Sequence, residues 1–74
     1  MKARIYELIT PDDTQMIYGY RWRIQYYNVS IIGDIIYDSK QQAVTACKRT
    51  GKELNIPLTI GEKIIETHDF DFLV

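Results

Sequence analysis

Between Ile17 and Tyr27 the chain alternates with period two: Tyr18, Tyr20, Trp22, Ile24 and Tyr26 fall on one side of an extended backbone, and Gly19, Arg21, Arg23 and Gln25 on the other. An α-helix cannot use this pattern, because its neighbours on one face are three and four residues apart. The segment is therefore a strand with one face to bury, and some other part of the chain has to cover that face.

The cover is supplied by the segment from Asp38 onward. Ser39 can accept the amide of Gln42 while the Gln42 side chain reaches back, an S-x-x-Q capping box that opens a helix over about Lys40 to Leu54. Ala43, Val44, Cys47, Gly51 and Leu54, with Ala46 beside them, form its apolar stripe, while Lys40, Gln41, Thr45, Lys48, Arg49 and Lys52 face away. Asn55 suits a left-handed C-terminal cap, and Pro57 forces Ile56 out of the helical region. A helix of small residues can approach closely a strand that presents Trp22 and Ile24, which is how such layers reach interior density.

The remaining segments read less sharply. Lys2 to Ile9 mixes apolar residues with charges and ends at Pro11, which suits a first strand, although Thr10-Pro11-Asp12-Asp13 can also cap a single helical turn. Asn28-Val29-Ser30 can reverse the chain into a β-branched strand from Ile31 to Tyr37, in which Gly33-Asp34 is either a bulge or a second hairpin turn. Leu58 to Thr67 reads as one bent strand or a short hairpin. The expected fold is α+β: a small antiparallel sheet of three or more strands with one helix, about residues 40–54, packed on one face, in the order β-β-β-α-β. All 74 residues form one domain, too short for a second.

Charge and cysteine content narrow the function classes. Nine Lys and Arg against ten Asp and Glu leave a net charge of −1, so the whole-molecule field offers nucleic acid little attraction. The distribution is uneven: Lys40, Lys48, Arg49 and Lys52 make residues 39–54 basic, and Glu62, Glu66, Asp69 and Asp71 make residues 55–74 acidic. Cys47 stands alone, so no internal disulfide can form, which favours a reducing cytoplasm. The opening run lacks the apolar stretch of a signal peptide, and no apolar run is long enough for a membrane helix. A cytoplasmic protein with no membrane contact is expected.

No phosphate loop, nucleophile elbow or carboxylate pair with a supporting base occurs, so neither catalytic residues nor cofactors are expected and the chain is read as a non-enzyme. His68 is the only histidine; in an extended tail it and Asp69 point to opposite faces, so His68-Asp69-Phe70-Asp71 reads as a solvated acidic edge and not as a metal site. Cys47, on the apolar stripe, reads as a small buried hydrophobe. The Tyr18, Tyr20, Trp22, Tyr26 stripe could stack bases on an open sheet, but the helix needs a sheet face to bury and no other strand offers one as apolar. Arg21 and Arg23 then project from the opposite face and, with Arg4, are the candidate nucleic-acid contacts; Lys48, Arg49 and Lys52 are the helix-side alternative. Phe70, Phe72 and Val74 share one face of an extended tail and are the candidate self-association residues.

Tyr20-Arg21-Trp22-Arg23-Ile24, followed by Ile35-Ile36-Tyr37-Asp38-Ser39-Lys40-Gln41-Gln42-Ala43, resembles the strand, strand, capped-helix pattern of short stand-alone bacterial domains of unknown function. More distantly it is similar to the AP2-like arm-binding domain of phage-type integrases. The resemblance covers about half the chain. In the integrase-like group it implies DNA binding by a strongly basic sheet face, from which this chain departs through Asp34, Asp38 and its acidic C-terminal segment. The leading functional expectation is a non-enzymatic protein-interaction or regulatory module, binding a partner or itself through a face or edge of the sheet. The alternative is a nucleic-acid-binding domain using the basic sheet face or the helix.

Overall fold

The computed structural model describes residues 2–68. Its elements are β1 (Lys2–Ile9), β2 (Ile17–Tyr26), β3 (Val29–Ile32), α1 (Lys40–Glu53), β4 (Thr59–Ile60) and β5 (Ile65–His68), an α+β arrangement in the expected order. The first two strands form a long antiparallel hairpin in which Ala3 lies opposite Ile24 and Ile5 opposite Trp22. No helix forms in the loop between them. Instead Asp12 accepts hydrogen bonds from the Thr10 hydroxyl at 2.8 Å, the Thr14 amide at 3.1 Å and the Thr14 hydroxyl, and Gln15 takes a φ of 48°.

The chain reverses at Tyr27-Asn28, one residue earlier than the sequence suggests, with Tyr27 at a φ of 54°, and Tyr26 pairs with Val29. β3 is shorter than expected. After Ile32, which lies opposite Arg23, the chain detours and rejoins β2 at an isolated bridge between Tyr37 and Tyr20. The two β2 residues between these pairings, Arg21 and Trp22, are thus matched by four on the returning chain, residues 33–36, so Gly33-Asp34 begins a bulge and not a second hairpin turn.

α1 starts where the sequence places it. The Ser39 side chain accepts the Gln42 amide at 3.2 Å, and the Gln42 side chain accepts the Asp38 amide at 3.2 Å, one residue earlier than in the usual reciprocal box. It ends in a Schellman motif: Asn55, at a φ of 57°, donates to the Lys52 carbonyl and Ile56 to that of Gly51. Ala43, Ala46, Cys47 and Gly51 are buried, whereas Leu54, expected on the stripe, is exposed as the cap residue beyond the packed turns. Leu58 fills the space left by the missing side chain of Gly51.

The sheet is mixed, a correction to the antiparallel expectation. β1 pairs antiparallel with β2 but parallel with both β4 and β5. The reason is topological: β3 runs in the direction of β1, and a helix between two strands returns the second in the direction of the first. The strand order is β3-β2-β1-β4, with β5 pairing further along the same edge of β1. β4 and β5 are therefore successive parts of one bent edge strand, interrupted after Gly61, whose amide donates to Ala3 at 2.9 Å.

Ala3, Ile5, Trp22, Ile24, Ala43, Ala46 and Cys47 form one core cluster between sheet and helix, with Tyr20, Ile31, Tyr37, Val44, Leu58 and Ile60 packed around it. The core reading of the β2 stripe holds at its centre. Trp22 is only 6% exposed, while Tyr20 and Tyr26 are half-buried and Tyr18 lies at the exposed end of the strand.

Candidate functional site

The face of the sheet turned away from α1 is built by the other half of each alternation. β1 contributes Lys2, Arg4, Tyr6 and Leu8, which lie opposite Gln25, Arg23, Arg21 and Gly19 of β2 respectively. This face is graded. At one end Leu8 is fully buried and Arg21 nearly so, while at the other Lys2, Arg4 and Gln25 are exposed.

Arg21 is thereby corrected as a candidate contact. Its Nε and Nη2 both donate to the Gly33 carbonyl, at 3.0 and 2.8 Å, and only 8% of the residue is exposed. The guanidinium anchors the carbonyl that begins the bulge, satisfying a backbone group that the interrupted ladder leaves without a strand partner. Arg23 stays half-buried, with its guanidinium carbon 5.6 Å from the centre of the Tyr6 ring.

Lys2, Arg4, Tyr6, Arg23 and Gln25 line a groove of about 280 Å³. A neighbouring hollow of about 410 Å³ shares Lys2 and Arg4 and reaches Thr59, Glu62, Lys63 and Ile65. The structure thus brings Arg4 and Arg23 together and adds Lys2, whose two-residue spacing from Arg4 is visible in the sequence. Lys48, Arg49 and Lys52 are exposed on α1, which covers the opposite face, so the two basic groups do not share a surface. Phe70, Phe72 and Val74 lie outside the described residues.

A second feature is the outer edge of β3. Among the described residues no strand pairs with that side. Gly33 donates its amide to the Trp22 carbonyl, and alternation from that bond and from the two-residue turn turns the amides of Ser30 and Ile32 outward. The strand Val-Ser-Ile-Ile carries neither charge nor proline; its first residue Val29 is exposed, as are Tyr27 before it and Ile35 and Ile36 after it. Sequence reasoning missed this edge because the β-branched run gives no sign of which strand ends the sheet.

Among the described residues no group of three His, Cys, Asp or Glu side chains could hold a metal ion, and no helix is long and apolar enough to cross a membrane. Cys47 is buried, and desolvation pushes its thiol up to about 11. Comparison with protein-family models, with curated proteins and with solved structures finds no match to the chain.

Proposed function

We propose that the protein is a non-enzymatic interaction module that binds an extended polypeptide segment by adding it as a strand to the outer edge of β3. One observation carries this reading: an uncharged edge with the outward amides of Ser30 and Ile32 and no blocking proline. Such an edge is chemically complementary to another backbone, and natural edge strands that avoid pairing are usually blunted by Lys, Pro or a covering element. The exposed side chains of Tyr27, Val29, Ile35 and Ile36 supply apolar contacts along the same border.

Ser30 offers a selective test. Proline there removes an outward amide and leaves the backbone bonds to β2 in place, so an edge strand tolerates it. Ser30→Ala is the control for loss of the side-chain bond from Ser30 to Gln25, which spans 2.8 Å. Peptides selected from a displayed library against the wild-type protein should bind Ser30→Ala and not Ser30→Pro, and should slow hydrogen exchange at the Ser30 and Ile32 amides. Sedimentation of the protein alone distinguishes a second copy as the source of the strand. A Ser30→Pro protein that keeps its circular dichroism spectrum and binds every selected peptide unchanged overturns the reading.

A further inference from the structure

We propose that the strand added at the outer edge of β3 is β3 of a second copy, paired antiparallel about a two-fold axis at Ile31; this rests on the edge-strand reading and names its partner. The first support is register. Backbone bonding to β2 alternates along the strand, so Val29, Ile31 and Gly33 bond inward while Ser30 and Ile32 face outward. The two outward residues sit symmetrically about Ile31. In a two-fold arrangement Ser30 of each copy therefore lies opposite Ile32 of the other, and each such pair exchanges both of its N–H···O bonds. This pairing uses every outward group of the strand and closes the free edge of both molecules, whereas a separate peptide closes one edge and brings another.

The second support is the chemistry of the border. An identical partner brings its own charges to the seam, where like charges opposite one another oppose pairing. Val29 to Ile32 carries none. Counting outward from Ile31, Asp34 falls level with Asn28 of the second copy, so the two carboxylates stay apart. On the same count Tyr27 falls level with Ile35. The exposed apolar residues that precede the strand in one copy are thus brought to those that follow it in the other.

The third support is room. α1 packs on β1 and β2, so two paired β3 strands leave about four strand spacings between the helix axes, roughly 19 Å against a helix diameter of about 10–12 Å. The axis stands perpendicular to the sheet, which puts both helices on the same face without a clash. Ile31, half-buried at the border of the core, meets Ile31 of the second copy in the space between them.

The test begins with sedimentation of the wild-type protein from about 10 μM to about 1 mM, since a contact of this size is weak. The mass should rise toward twice that of the chain, while Ser30→Pro stays monomeric. In a Cys47→Ala background, Ile31→Cys should cross-link to itself under copper phenanthroline, because facing residues without mutual backbone bonds lie about 4.5 Å apart between Cα atoms, which suits a disulfide. Ser30→Cys is more exposed but faces Ile32, and should cross-link at least about tenfold more slowly. Wild type that stays monomeric throughout, a dimer retained in Ser30→Pro, or Ser30→Cys cross-linking as fast as Ile31→Cys would each overturn the proposal. Selected peptides that bind a monomeric wild type and not Ser30→Pro would remove the second copy and leave the edge-strand reading standing.

Discussion

The guanidinium of Arg21 and the carbonyl of Gly33 are joined by two hydrogen bonds, at 3.0 and 2.8 Å, across the point where the β2–β3 ladder breaks. The pair is nearly buried, so loss of the donors leaves the carbonyl unsatisfied. Arg21→Met should destabilise by about 1.5–3 kcal/mol in urea melts. Arg21→Lys should recover little of this, because a point-like ammonium cannot reproduce the planar fork. An Arg21→Met protein with an unchanged midpoint would show that the bulge holds itself.

Gly33 is constrained from its other side as well. A methyl group there would fall 2.6 Å from the Trp22 ring, and the Trp22 ring is a rigid, buried neighbour. Gly33→Ala should cost about 1–3 kcal/mol by overpacking and shift the tryptophan fluorescence, while Trp22→Ala should cost about 3–5 kcal/mol. Equal stability of Gly33→Ala and wild type would mean that the bulge can move away from the ring.

Much of the fold was legible because two signals are local. The Tyr18 to Tyr26 alternation and the Ser39 to Asn55 helix each depend on neighbours within a few residues. The parallel pairing of β4 and β5 was not legible, since Leu58 to Thr67 shows β-propensity but nothing that states direction or partner. The open face was half legible. Alternation places Arg4, Arg21 and Arg23 on one side, but the burial of Arg21 depends on a detour of Gly33 that no local pattern encodes.

Cys47 should be chemically quiet in the folded protein. Its thiol is pushed up to about 11 by burial, so little thiolate exists at neutral pH and alkylation by iodoacetamide should become rapid only in denaturant. The same shift has a sign for stability. Between 9.0, the ordinary value, and about 11 the unfolded chain releases the proton that the folded chain keeps, so this contribution is full below 9.0 and declines as pH rises. Urea melts at pH 8 and pH 10 of wild type and Cys47→Ala should show a steeper loss in wild type.

Asp12 titrates in the opposite sense. Hydrogen bonds from the Thr14 hydroxyl, then the Thr10 hydroxyl, hold its carboxyl below the ordinary value. The contribution is present above the unfolded value and is lost as pH falls through the folded one. Thermal melts should therefore separate Asp12→Asn from wild type at pH 6 and converge toward pH 2. A gap that stays constant across that range would mean the carboxylate charge is irrelevant to the loop.

β1 is bonded on one side to β2 and on the other to β4 and β5, whose residues lie some fifty to sixty positions later in the chain. During synthesis β1 therefore emerges well before its β4 and β5 partners, and that edge stays open until His68 has left the ribosome. Such non-local closure is slow compared with helix or hairpin formation, so the β1–β2 hairpin and α1 should form before β4 and β5 dock on β1. Until then the β1 edge that later takes up β4 and β5 is open, and an open strand edge can pair with another chain as readily as with its own.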